Sequence, residues 1–406
     1  MDLLKPGRPP HSARRVRRFA LKVQQFTGPM MAKSLEDTAF YRYHRLLAFN
    51  EVGGRPDAQP LSVTDFHARM AERVNRLAHG LSATATHDTK RGEDARMRIL
   101  ALSELADEWR ETVATWRSLN AHLVDERGTR CPSRAHEYML YQALLGAWPL
   151  TGIVAPFVER MQAYALKAAR EGKQETNWSD PDDRYEAGLA AFVEKILDPN
   201  HSACFLQAFE PFARRVALLG TLKSLSQLVL KLTLPGVPDL YQGTEFWDLA
   251  LVDPDNRRPV DFATRTAALA SIGEGTDWSG LAASWPDARI KLALTRSLLS
   301  LRQQLPSVFT DGSYRPLEVF GPHASEVLAF AREDGRNAVI VAVGRLFARA
   351  SDGGRRLPVG TEWNASLSID GFPSLQNALT LQRTVGPQFL LADLFKTIPL
   401  AVLQAR

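Results

Sequence analysis

Cysteine is nearly absent from this 406-residue chain: Cys131 and Cys204 stand far apart, with neither a CxxC pair nor a histidine at ligand spacing. That gives no support to a zinc site or a disulfide framework and leaves two buried free thiols as the expectation, with a single disulfide as the alternative. Long apolar runs are lacking too. No stretch is expected to cross a bilayer, and the proline-rich opening has no hydrophobic segment of a secretory signal. No membrane partner is therefore expected, and a cytoplasmic location is. GxSxG, Walker A and GxGxxG do not occur, and His136-Glu137 has no second histidine to complete a zinc-protease helix. Enzyme classes built on those motifs drop out, and neither a metal nor an organic cofactor is implied.

What is present is an ordinary globular composition, 45% hydrophobic and 23% charged, in a chain long enough for two or three domains. Lys+Arg 50 against Asp+Glu 45 gives a net charge of +5, a small excess over a large surface. Part of it sits in Arg14, Arg15, Arg17 and Arg18, which read as a solvated helix face rather than a nucleic-acid arm.

Hydrophobic periodicity divides the rest. Pro60 and Ser62 start a helix whose face is Phe66, Met70, Val74 and Leu77, stopped by Gly80; Leu81 to Thr86 then fits a buried strand. A long helical stretch follows, with Trp109, Val113, Trp116, Leu119 and Leu123 on one face and Tyr185, Leu189, Phe192 and Ile196 on another. A further helix is expected over 288–304, with Leu292, Leu298 and Leu301 inside. Beyond Pro316 the texture is that of strands: 327–330, 338–343 and the alternation Trp363, Ala365, Leu367, Ile369. Helices interleaved with strands, then an all-β module, predict an α/β layer followed by a small antiparallel domain.

The hexapeptide Thr86-His87-Asp88-Thr89-Lys90-Arg91 ends the small-residue strand in a His-Asp pair and then in charge, a layout suited to presenting a carboxylate at a strand end. Asp253 to Asp261 has the flavour of a calcium loop but lacks the sixth-place glycine and twelfth-place glutamate, so a rigid turn is the better reading. Glu36 and Asp37 are adjacent carboxylates that point apart, which favours capping or a salt bridge over paired catalysis. Trp247 is a candidate for stacking on a ligand or for packing, whereas Trp109 and Trp116 belong to the core.

Ordered blocks tie these pieces together: 24–29 (QQFTGP), 32–43 (AKSLEDTAFYRY), 50–54 (NEVGG), 86–91 with Glu93-Asp94, Glu137-Tyr138, Trp148-Pro149, Asn177-Trp178, and 235–245 running on to 253–261. In that order and spacing they resemble the maltooligosyl trehalose synthase family, a branch of the α-amylase superfamily (glycoside hydrolase family 13). The resemblance covers the chain after about Arg18.

It implies an α/β fold: the C-terminal part of a (β/α)8 TIM barrel with a large helical insertion, then an antiparallel β-sandwich domain. The implied division is a basic, disordered opening (1–18), a barrel segment around strands six and seven (19–91), the insertion (92–232), strand eight with its closing helix (233–310), and the β domain (311–406). Lys33 is placed near strand six, Thr86 to Asp88 at the end of strand seven, and 237–241 at strand eight, all at the barrel face that carries function.

The implied activity is an isomerase of the retaining glycoside hydrolase type. It converts the reducing-end α-1,4 linkage of a maltooligosaccharide into an α,α-1,1 trehalose linkage by intramolecular transfer. Such chemistry needs a nucleophile, a general acid and stabilisation of an oxocarbenium-like transition state. Asp88 takes the role of a third, buried carboxylate; His87, Lys33, Lys90, Arg91, Tyr241, Asp255 and Arg258 become substrate-binding candidates, with internal pairing an equal alternative for Lys90 and Arg91. The nucleophile and acid belong to strands that should precede Lys33. The isolated chain is thus expected to be inactive and to need a separate N-terminal half. A noncatalytic carbohydrate-binding or partner protein, or a related amylase or trehalohydrolase, are the alternatives. Ser34 and Gly92 depart from the glycine and serine expected at those places.

Overall fold

The structure, a computed structural model, describes residues 12–405 except 127, 274, 336 and 373. Most of the expected disordered opening therefore lies outside the described residues. From residue 13 the chain is ordered in helix α1 (Ala13–Met31), whose Ser12 side chain caps the start by accepting from the Arg15 N–H. The helix continues into a wider π turn over Ala32–Glu36, so the segment around Lys33 is helical where the resemblance implies a strand. A strand with no neighbour leaves its backbone groups unpaired; a helix satisfies them internally. Helix α2 (Val63–Arg76) follows, capped by Ser62 as the sequence suggests.

A two-residue strand β1 (Leu81–Ser82) then meets β2 (Val237–Pro238) in parallel, Leu81 opposite Val237. It is shorter than the strand expected over 81–86, and it is the one parallel pairing among the described residues.

Between β1 and β2 lies the helical body: α3 (Glu93–Ala101), α4 (Ala106–Leu119), α5 (Arg134–Ala147), α6 (Ala155–Gly172), α7 (Asp183–Ile196) and α8 (Pro199–Thr233). The apolar faces read from the periodicity are buried here: Trp109, Val113 and Trp116 on α4, and Tyr185, Leu189, Phe192 and Ile196 on α7. Trp116 sits edge-on to Phe205 and Phe212 and against Phe209, all on α8, and to Tyr141 on α5. By length and composition α8 does reach a bilayer-spanning threshold, contrary to the expectation. Its most apolar window is 83% buried inside the protein, so packing uses that surface.

After β2 come α9 (Phe262–Ser271), α10 (Trp278–Ala283), α11 (Arg289–Gln304) and α12 (Pro306–Thr310), with Leu292, Leu298 and Leu301 of α11 buried as expected. The chain closes in two antiparallel sheets. The three-stranded sheet orders β10 (Gln388–Leu390), β7 (Ser366–Ser368) and β4 (Val319–Phe320). The six-stranded one orders β3 (Ser313–Pro316), β5 (Val327–Glu333), β6 (Ala338–Gly344), β11 (Leu400–Ala405), β8 (Ser374–Asn377) and β9 (Arg383–Val385). The β6 strand docks on the helical body, where the Ser226 hydroxyl of α8 donates to the Gly344 carbonyl at 2.9 Å. Of the two thiols, Cys131 is buried and pushed up to about 12 by burial, whereas Cys204 is exposed, against the expectation of two buried thiols. It stands near the start of α8, before the run of buried side chains from Phe205 on.

Candidate functional site

Beyond β1 the chain makes a tight turn closed by its own threonines. The Thr89 hydroxyl donates to the Thr86 carbonyl at 2.9 Å, and the Thr86 hydroxyl accepts from the Asp88 N–H at 3.2 Å. Satisfying the backbone this way turns the two central side chains outward. His87 and Asp88 are both exposed, which corrects the expectation of a buried acid: they sit at the tip of a turn.

Glu51 anchors the far end of that turn. Its carboxylate accepts the N–H of Lys90 at 2.7 Å and of Arg91 at 3.3 Å, and pairs with Arg96 at 2.8 Å. The Lys90 ammonium runs inward over the Tyr41 ring to Asp37 at 2.8 Å, and the exposed Lys33 meets the other oxygen of Asp37 at 2.5 Å. Burial pushes the Asp37 carboxyl up, but the two ammonium groups outweigh it and hold it below the usual range. The fold thus brings Lys33 and Lys90 together on one carboxylate, in the salt-bridge role foreseen for Asp37. Arg91 is buried and turned away, donating to the Leu47 carbonyl and the Tyr164 hydroxyl.

The 241–258 loop flanks the turn on its other side. Tyr241 donates its hydroxyl to the Asn256 carbonyl at 3.2 Å. The Asn256 amide reaches the carbonyls of Thr86, His87 and Thr89 at 3.4, 3.1 and 3.3 Å, and Arg257 adds a bond to the His87 carbonyl at 3.2 Å. Asp255 is occupied: Arg160 of α6 grips both its oxygens, at 2.7 and 2.9 Å, and Arg258 lies 2.9 Å away. Burial raises the Asp255 carboxyl, and Arg160 more than reverses that. The half-exposed Arg258 also reaches the Asp255 carbonyl, at 3.0 Å. Trp247 bonds the Trp285 carbonyl at 2.8 Å, the packing alternative of its two readings.

Beneath the turn lies a charge cluster that sequence reasoning missed. Lys291, fully buried on α11, donates to Glu93 at 2.7 Å and Asp94 at 2.6 Å, while Lys231 of α8 reaches Glu93 at 3.0 Å. Two ammonium groups keep Glu93 low despite its burial, whereas burial leaves Asp94 raised. Gly92 is required beside them, because a Cβ there would lie 2.4 Å from the Asp248 carbonyl oxygen; the serine expected at this place would not fit. A cavity of about 730 Å³ is lined by Phe66, Met70, Leu230 and Phe347 and does not include His87 or Asp88. Among the described residues no group of three histidine, cysteine or acidic side chains is placed to hold a metal ion.

Comparison with known proteins gives this geometry a context. No family model matches the chain. A putative maltooligosyl trehalose synthase of Mycobacterium tuberculosis is 35% identical over 343 residues, which is 82% of this chain and 40% of that protein. The structure of maltooligosyltrehalose synthase from Arthrobacter ramosus superposes with a TM-score of 0.79 at 34% identity, covering 95% of this chain and 46% of that one. This chain is similar to the maltooligosyl trehalose synthases. It corresponds to a C-terminal portion of them and spans about half the length of the relatives it matches. A hypothetical maltooligosyl trehalose synthase of Sulfolobus tokodaii agrees at a TM-score of 0.75 and 31% identity, covering 94% of this chain and 46% of that protein. Within this portion the His87-Asp88 turn faces solvent and Lys33 is exposed though paired with Asp37, while Lys90, Arg91, Tyr241 and Asp255 are bonded to the protein itself. Of the residues that shape the turn, Glu51 belonged to a recognised block and Asn256 to the rigid loop, but neither carried a signal of its role.

Proposed function

We propose that this chain forms the C-terminal part of a maltooligosyl trehalose synthase, with Asp88 as the carboxylate that binds sugar hydroxyls beside the reacting ring and His87 and Lys33 as further substrate contacts. In this reading the substrate is a maltooligosaccharide, and the reaction is the intramolecular transfer that turns its reducing-end linkage into a trehalose linkage, carried out in the cytoplasm. The architecture is the closing part of a (β/α)8 barrel with a helical insertion, followed by a β sandwich. The observation that carries the reading is an outward-facing His87-Asp88 turn in a chain about one-third identical to proteins named as synthases.

Retaining transfer needs two further acids on opposite faces of the sugar. Asp37, Glu51 and Asp255, the nearby carboxylates described above, are each held in ion pairs, so the nucleophile and acid are assigned to an N-terminal portion outside these residues. The β1-β2 pair, whose outer edges meet no further strand among the described residues, supports such a portion, as do exposed Phe19, Phe26, Met30 and Met31 on α1.

The test is incubation with maltopentaose while reducing ends and circular dichroism are followed together. The folded chain alone leaves reducing ends unchanged; adding the N-terminal portion of the Arthrobacter ramosus protein removes them without glucose release, and Asp88→Ala abolishes that. Glucose as the main product would mark a hydrolase instead. The engaged carboxylates favour one second reading, a noncatalytic maltooligosaccharide-binding protein, which binding without turnover beside the N-terminal portion would support.

A further inference from the structure

We infer that Asn256 is the residue that positions the His87-Asp88 turn, and that through its neighbour Asp255 it ties this turn to helix α6 of the helical body. Three carbonyl oxygens of the turn, those of Thr86, His87 and Thr89, converge on the Asn256 amide nitrogen at 3.4, 3.1 and 3.3 Å. Converging carbonyls repel one another unless a donor lies between them, and this site is buried from water, with Asn256 only 9% exposed. The NH2 end must face them, since the amide oxygen would add a fourth negative dipole. That orientation leaves the Asn256 side-chain oxygen buried without a partner, an arrangement that stability alone would disfavour. The side chain therefore serves as a donor to the turn.

The donor is itself held from behind. Asn256 lies in a single helical turn, Asp255–Arg257, and its carbonyl accepts from Tyr241. Asp255 next to it is gripped by both ends of the Arg160 guanidinium and also accepts the Leu251 N–H at 2.7 Å. Lys167, two helical turns along α6, bonds the carbonyl and carboxylate of Asp253, both at 2.7 Å. The 253–257 loop is thus fastened to α6 by two charged contacts, and a planar, bidentate one resists rotation more than a point contact does. Movement of α6 reaches Asp88 through Asp255 and then Asn256, a route separate from the bond that Tyr164 of α6 makes to Arg91 at the far end of the turn.

Backbone hydrogen exchange of the whole chain tests the positioning, and the chain joined by the Arthrobacter N-terminal portion tests its bearing on substrate. That second arm rests on the synthase reading. Asn256→Asp keeps the size and removes the donor. It is expected to raise exchange across 86–91 at least about tenfold while α4, α5 and α8 stay protected. Arg160→Met is expected to raise it less, and the double variant to match Asn256→Asp alone, because both changes cut one link. Unchanged exchange across 86–91 in a folded Asn256→Asp chain would overturn the inference, as would effects that simply add. In the joined protein Asn256→Asp is expected to lower kcat for maltopentaose more than it alters KM. Absence of turnover even with the wild-type chain would refute the synthase reading alone, since the exchange data stand without it.

Discussion

Helices α1 and α8 each carry an internal proline, Pro29 and Pro211, yet they are held in opposite ways. From Phe205 onward α8 is buried against its neighbours, and the lost hydrogen bond at Pro211 is offset by packing on several sides. Not one side chain of α1 is buried, and its Gly28-Pro29 step weakens a helix supported by little beyond its own backbone bonds. The same backbone form thus records two things: tertiary packing at α8, and at α1 what an amphipathic segment adopts when none of the described residues buries it.

The largest expected effect tests whether the buried charges belong with the packed region. Lys291→Met strands Asp94 and leaves Glu93 with Lys231 alone, and should cost about 5 kcal/mol, the upper end for a broken buried pair, in urea unfolding. A loss below about 1 kcal/mol would mean that water reaches the cluster. Next, Trp116→Ala should cost about 4 kcal/mol by emptying the centre of the aromatic group, while Phe26→Ala on α1 should change stability by less than about 0.5 kcal/mol. Equal losses at the two sites would erase the contrast between α1 and α8.

An effect smaller than the losses at Lys291 and Trp116 probes the join between the leading segment and the helical body. His44 packs beside His136, and its carbonyl accepts from Gln142 of α5. Burial lowers its pKa from 6.5 to about 4, despite the bond to the Tyr41 carbonyl. The unfolded chain therefore binds the extra proton first as pH falls. Stability is flat above the unfolded value and declines between 6.5 and about 4, by about 3 kcal/mol in total. Urea unfolding across that range should show the decline, and His44→Gln should reduce it; an unaltered slope in the variant would assign it elsewhere.

Much of the packed region was legible because its signals are local. The 3.6-residue spacing of Trp109, Val113 and Trp116 names a buried face without any partner being known, and alternation from Trp363 to Ile369 does the same for a strand. The site was legible only as a motif. His87-Asp88 stands out in the chain, but that its turn is buttressed by Asn256, 169 residues from His87, has no local trace. Lys90 and Asp255 were singled out as substrate contacts by position in their blocks, and each is bonded to a partner 53 or 95 residues away, Asp37 and Arg160. The segment around Lys33 illustrates the reverse case, where an apolar run compatible with either helix or strand took the form that needs no neighbour.

The amino-acid order by itself determined which faces are apolar, where Ser12, Ser62 and Ser133 start helices, and where a His-Asp pair is offered. Tertiary structure alone decided which charges meet: Lys291 with Glu93 across 198 residues, Arg160 with Asp255, and one amide with three carbonyls of the candidate site. The division has a physical cause. Periodicity and capping are fixed by bonds within a few residues, whereas a charge or an amide finds its partner only after the chain has brought distant segments within about 3 Å.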